Sequence, residues 1–551
     1  MQMLSIVPGK PGLVRLGLYA VFSLLPLWQP GLVPLVTLAA GIVFAVAMWR
    51  RLQNTGISLF FFLIGIVAYP ALYYAVAALA IPFLHPLSIE AWRWLPVWGM
   101  ALVAILATAA AIFFGRRRRA SQPDARASRF PATALALIWL LAIVAGGVGW
   151  FVNNHQKTYD WQVMSSLHPE VLSQLPESDP DRIRILPQAT ALDFAQNSNQ
   201  DNRTTTMTPI IAPCPDGSGK QCWQSAFHLK GMDEGIFYNF TGDIVMDVVH
   251  QPADSVEMAT NTQPRGAFFF LGPNSWPVKA AIAVHNPFSK AERPVYYLKA
   301  NGDWVYLIPY TSYRPTILGA MVPYLAGVLE VNIWGLIWDH SVSSAIRHFP
   351  DVAFFPTTLD RWYAERYADW RGGITGTVTK KDHLEISEAE AEGDHWNPPP
   401  YLQYFLGIGQ QSVIGLEPRG LDSSSLREIL FFDGATGALK VYRVPSKKVL
   451  NGPREATGMT RKLDWEAALR SKKVEPLFLV KGGNLFYLIG LVSDEDQGKG
   501  TADHPYNESV IIDAESMDKG LRVGHGGDVR DFLKGKDNVL PSLDDAHPEK
   551  K

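Results

Sequence analysis

Cysteine is almost missing from this chain: two occur in 551 residues. That excludes a thiolate metal cage and a dense disulfide scaffold. The pair stands in "APCPDGSGKQCW" as Cys214 and Cys222, in a Pro/Gly/Ser-rich loop. No CxxC occurs, and a metal site would need two further ligands. The spacing favours a structural disulfide, worth about 2.5 kcal/mol by loop-closure entropy if unstrained, with two free thiols as the alternative. A charge surplus is also lacking. Net charge is -2, which excludes the broadly basic surface of a nucleic-acid binder.

Long apolar runs, by contrast, fill the N-terminal part at about Gly12 to Trp28, Gly31 to Trp49, Ile57 to Leu84, Trp92 to Phe114 and Ala132 to Val152. Each approaches or exceeds the ~20 residues that span a bilayer core, so five transmembrane helices are predicted within residues 1–152. Lys10 and Arg15, at the start of the first run, also fit the basic region of a signal peptide. Only Gln29 and Pro30 separate it from the second run, which favours a retained hairpin. Arg50 and Arg51, then Arg116, Arg117, Arg118 and Arg119, then Arg126 and Arg129, all fall on one side if the N-terminus is cytoplasmic. Residues from about Asn153 onward are then outside, which is the periplasm if the membrane is a bacterial inner membrane. The arginine run also suits nucleic acid or anionic lipid, but its place at a predicted membrane boundary is explained by topology alone.

No ionisable residue lies near the centre of any run. Ion and proton pathways need such groups, so the spans read as an anchor or packing platform. The fifth carries Ala142, Ala145, Gly146 and Gly149 at small-xxx-small spacing. Such a stripe packs helices closely, within the bundle or against another membrane protein.

Beyond the spans the writing changes to β-rich runs. "RPVYYLKANGDWVYLIPY" from Arg293 frames Asn301-Gly302, a strong hairpin signal. "PPYLQYFLGIGQQSVIGLEP" and "EPLFLVKGGNLFYLIGLVS" repeat the style, and each is followed by further strand-like sequence. Helical patterns start at Thr357, with threonine available as N-cap, and at Thr460. Up to three divergent repeats of hairpin, strand pair and helix are therefore predicted over 293–523. In that alignment Leu318 to Trp338 is a buried sheet segment, and its alternative is a sixth span. Residues 153–292 read as a mixed segment holding the cysteine loop, and 524–551 as a polar tail.

Two segments, "FFDGATGALKVYRV" and "IIDAESMDKGLRV", resemble PepSY-type envelope domains, in which a strand ending in Asp-Ala-x-Thr-Gly turns into a second strand. The turn residues are Asp433, Gly434, Thr436 and Gly437, then Asp513 and Ala514, and the second copy lacks the Thr-Gly. The resemblance implies binding or regulation in the envelope rather than catalysis.

Catalytic signatures are sparse: GxSxG and HExxH are both absent. The best local cluster is "WDHSVSSAIRHFPD", which gathers Asp339, His340, Ser341, Ser343, Ser344, Arg347, His348 and Asp351. Asp233, Glu234, Asp243, Asp247 and His250 offer acid-base or metal-binding groups without a ligand spacing. Asp494 and Asp496 begin a calcium-like loop that nothing completes. "GHGGD" at His525 reads as lacking the flanking strand and helix of a phosphate loop. Trp362, Tyr363, Arg366 and Trp370 suit either a partner-binding face or ordinary amphipathic packing.

The expectation is a multi-span α-helical membrane domain plus an α+β extracytoplasmic domain with internal repeats of hairpin, strand and helix. Its partners would be the bilayer and an envelope protein, with no cofactor, metal or nucleic acid. The role is a binding, assembly or regulatory subunit without catalysis; the alternatives are an envelope hydrolase and an accessory subunit of a transport or secretion complex.

Overall fold

The computed structural model describes residues 25–84, 95–121, 132–198, 204–229, 242–248, 256–259, 276–371, 383–389, 398–460, 471–493, 506–523, 526–536 and 540–542, less short gaps within these ranges. The apolar sequence forms four long helices, α1 (Val33–Leu52), α2 (Thr55–Leu84), α3 (Leu95–Ser121) and α4 (Ala132–Asn154). Most of the first apolar run lies outside the described residues. Two stretches, Phe62–Leu79 and Ala134–Phe151, are long and apolar enough to cross a membrane, and α3 holds a shorter one, Gly99–Phe113. Large apolar side chains on these helices face outward: Val67 is 69% and Ile143 65% exposed. A bundle folded in water would bury them.

α1 and α2 cross at glycines. A Cβ on Gly65 would stand 2.9 Å from the Cα of Gly41, so the backbones are nearly in contact. Of the small-residue stripe on α4, Ala142 and Gly149 are buried, while nothing lies within 4 Å of a Cβ built on Gly146.

Past α5 (Gln156–Leu167), helices and antiparallel sheets alternate. α6 (Gln188–Ser198) leads to a five-stranded sheet within 204–259, and α7 (Trp276–His285) to a five-stranded sheet within 290–340. α8 (Val342–His348) and α9 (Thr357–Trp370) lead to five strands within 384–443, which Glu170–Leu172 extends to a six-stranded sheet by pairing in parallel with Lys440–Tyr442. α10 (Pro453–Thr460) leads to a four-stranded sheet within 471–523, and α11 (Gly526–Leu533) follows. The four sheets form a propeller-like, β-rich domain.

Strand parity holds the blades together, since successive side chains point to opposite faces. In the fourth blade Leu477, Leu479, Phe486, Leu488 and Ile511 pack toward the first blade, onto Trp223, Ile244 and Met246. Their neighbours Phe478, Val480, Leu485, Tyr487 and Ile512 pack toward the third, onto Val413, Ile429 and Phe431. The opposite face of the third blade, with Ile414, Leu430 and Phe432, joins α9 and the second blade at Leu307 and Val328. Sheets buried on both faces explain why these strands read as continuous apolar runs instead of alternating ones.

Several expectations change. Three sheets fall in the region read as repeats, and a further one, the first blade, lies inside the segment read as mixed. Each sheet follows a helix, so the repeat is phased differently. The N-cap of α9 is Pro356, with no side-chain cap bond, and not a threonine. Of the helix expected from Thr460, residues 461–470 lie outside the described residues and Ser471 onward is strand. Leu318 to Trp338 contains the strand Met321–Asn332, paired with Trp304–Pro315 and Ile337–His340, which rules out a helical span. Asn301-Gly302 is outside the described residues, but Leu298 pairs with Trp304 around it. The polar tail begins as α11, whose Val529 and Phe532 are buried. His525 is in fact flanked by a strand, Gly520–Val523, and by α11.

Candidate functional site

Where the first three blades meet, a cleft of about 510 Å³ opens. Its apolar wall includes Phe354, Phe355, Leu402 and Val295, together with the prolines Pro398 to Pro400; Arg184, Arg293, Arg361 and Glu292 supply its charge.

Arg184 is buried and forms an ion pair with Glu475. Glu475 is itself buried and sits where the strand Ser471–Lys481 shifts register, with φ at +46°. That region is costly for a glutamate, so the pairing must hold the bulge against its own strain. Glu475 also accepts the Gln188 backbone N–H at 2.9 Å, and the guanidinium lies 4.6 Å from the Trp223 ring centre. Burial lowers the Arg184 pKa and the Glu475 charge opposes that. Arg361 is similarly consumed by Glu388, by Glu365 at 3.3 Å and by the Pro399 carbonyl at 3.1 Å.

Arg293 differs. Among the described residues it has no ion-pair partner; its side chain is exposed at the cleft, and the protein around it still desolvates it enough to lower its pKa. Beside it, Glu292 accepts from the Thr311 hydroxyl at 2.8 Å, and burial raises its pKa while Lys290 and that hydroxyl lower it. Among the described residues the lining thus offers Arg293 as a cation without an ion-pair partner, on a largely apolar wall. The lining also includes the hydroxyls of Thr208, Thr357 and Thr358.

The sequence cluster after Trp338 is partly assembled. His340 Nε2 lies 3.0 Å from Glu330, which also binds Lys299. The His340 and His348 rings are 5.4 Å apart. Ser341 caps α8 by accepting from Ser344 N–H and lies 3.3 Å from the Ser343 hydroxyl, while His348 Nδ1 lies 2.8 Å from the Ser344 carbonyl and 3.4 Å from the Ser344 hydroxyl. Asp339 accepts from Tyr310 at 2.9 Å, and Asp351 pairs with Arg182 at 3.3 Å. The serine hydroxyl nearest a histidine here, on Ser344, faces His348, whereas His340 has an orienting carboxylate. Glu330 and Lys299 were not legible as its partners, because they come from other strands.

The aromatic face of α9 is not open. Tyr363 is buried and bonds the Pro323 carbonyl, Trp362 meets Tyr159 edge-on, and Arg366 pairs with buried Asp160 at 3.3 Å. They pack on α5 and the second blade, and Trp370 is half-buried. Asp243 and Asp247 lie on the strand Gly242–Asp247; Asp233, Glu234, His250, Asp494 and Asp496 are outside the described residues. No group of three or more metal-ligating side chains gathers among the described residues. Cys214 and Cys222 are joined as a disulfide against Val245. No family model, curated protein or solved structure matches this chain.

Proposed function

We propose that the chain is a periplasmic binding subunit anchored in the inner membrane by five spans, acting in assembly or regulation without chemistry of its own. The observation that carries this reading is the cleft between three blades, where Arg293, without an ion-pair partner among the described residues, stands on a wall of prolines and aromatics. Such a surface suits an extended segment of an envelope protein that brings a carboxylate. The outward-facing apolar helices support the anchor. Contacts between the turn at Gln29 and the second blade support the orientation, since they keep that turn on the same side as the β-rich domain and opposite Arg50, Arg51 and Arg116 to Arg119. The resemblance to PepSY-type domains points the same way.

The test is affinity recovery of the full-length protein from native membranes in mild detergent, beside Arg293→Glu. A stoichiometric partner lost with the variant supports the reading, and recovery of the protein alone in both contradicts it. The Glu330–His340 contact favours a second reading, an envelope hydrolase. A hydrolytic activity that co-purifies with the chain and vanishes in His340→Ala would establish it.

A further inference from the structure

The second blade presents its aromatics to solvent in one region. Trp334 and Trp338 are 50% and 44% exposed, Trp276 and Phe288 44% and 43%, and Trp28 44%. Trp334 stands at the tip of a tight turn, where the Asn332 side chain accepts from the backbone N–H groups of Trp334 and Leu336, both at 2.9 Å. This turn is braced, and it holds its tryptophan outward.

The region is continuous with the helical anchor. The Trp28 and His285 ring centres lie 3.9 Å apart with the planes tilted by 32°, and Gln29 bonds the backbone of Ile337, next to Trp338. α7, which begins at Trp276, packs on α2. α2 has 30 residues, about 45 Å of helix, which exceeds a hydrocarbon core of ~30 Å. Beyond the Gly41–Gly65 crossing toward this end, Val33, Val36, Tyr73 and Ala77 are buried. The blade thus clamps the protruding end of the α1–α2 hairpin, beside its tryptophans.

We propose that this edge of the second blade is seated in the headgroup layer of the bilayer, with Trp28, Trp276, Phe288, Trp334 and Trp338 as interfacial anchors. Tryptophan suits that layer because its ring is apolar and its N–H still finds a polar partner. The inference rests on the membrane-anchored reading and adds to it. The β-rich domain then lies against the membrane on a fixed side, which sets how the cleft faces a partner.

Single cysteines at Trp334 and Trp338, with Val449→Cys as an exposed control in another part of the domain, are labelled with an environment-sensitive fluorophore in the full chain. The native cysteines are already paired. The labelled proteins are placed in phosphatidylcholine nanodiscs carrying a spin label at either a shallow or a deep acyl position. Several-fold stronger quenching of positions 334 and 338 by the shallow label, with 449 unaffected, is the expected result. Trp276→Cys and Phe288→Cys give the same readout should an edge-strand substitution unfold the sheet. Labels that insert with the chain yet behave like 449 overturn this inference and leave the anchor standing. Labels shielded from aqueous iodide but untouched by lipid quenchers would mean a second copy covers the face, which also overturns it. A chain that never enters the nanodisc overturns both.

Discussion

The side chain of Gln29 mimics a strand partner for Ile337, 308 residues away. Its Nε2 donates to the Ile337 carbonyl at 2.9 Å, and its Oε1 accepts the Ile337 N–H at 2.7 Å. Ile337–His340 is the edge of its sheet, so these are the bonds that an unpaired edge leaves open. Replacing Gln29 with leucine keeps the bulk and removes both bonds. The expected cost is about 1–3 kcal/mol, with faster hydrogen exchange at the Ile337 amide. Exchange at that amide unchanged from the wild type would refute the docking.

Gly437 tests packing in the Asp433 turn. The Asp433 carboxylate accepts from Thr436 N–H at 2.8 Å and from the Thr436 hydroxyl at 2.7 Å, and Gly437 follows with φ at +73°. A Cβ there would lie 2.2 Å from the Phe355 ring, whereas one on Gly407, at φ +78°, meets nothing within 4 Å. Gly407→Ala should cost only its backbone strain, about 1–2 kcal/mol. Gly437→Ala should cost at least ~1 kcal/mol more, because Phe355 must move. Equal losses in thermal unfolding would show that the ring yields freely.

The buried pair behind the cleft makes a sharper case. Glu475→Gln leaves the Arg184 guanidinium buried and uncompensated, and should cost about 3–5 kcal/mol. Arg184→Met combined with Glu475→Met should recover much of that loss. A double variant as unstable as the single one would mean the pair contributes attraction rather than mutual neutralisation.

Asp360 gives a pH dependence. Burial raises its carboxyl well above the ordinary range, the Ser412 hydroxyl opposes this, and the Asp433 charge adds to it. The folded state therefore holds this proton more tightly than the unfolded one, and its contribution to stability falls as pH rises from the ordinary aspartate range through the raised value. Asp360→Asn cannot ionise. It should be more stable than the wild type at neutral pH, with the gain shrinking toward about pH 4. Thermal unfolding at both pH values checks this, and a variant less stable at neutral pH would contradict it.

Much of the β-rich domain was legible because hairpins announce themselves locally. The glycines at 482 and 483 mark the turn between Ser471–Lys481 and Asn484–Ser493, and both have positive φ. Asp433 and Asp513 mark two strand ends, each accepting backbone N–H groups of its own turn. The first blade was missed because its strands are short and interleaved with polar loops. The cleft was not legible at all: Arg184, Arg293 and Phe355 are scattered along the chain, and only the closure of the blades brings them together. The helical spacing of Trp362, Tyr363 and Arg366 was visible, but a stripe cannot reveal whether its partner is the same chain or another. Here α5 covers it.

The central claim is that the β-rich domain lies outside the membrane, fixed to an anchor whose arginines lie inside. Two reporters fused in turn after Lys551, one active only in an oxidising exterior and one only in the cytoplasm, test it most directly in intact cells. The account requires activity from the exterior reporter alone. Activity from the cytoplasmic reporter alone would contradict the orientation, and with it the anchoring role assigned to Trp28, Gln29 and the second blade.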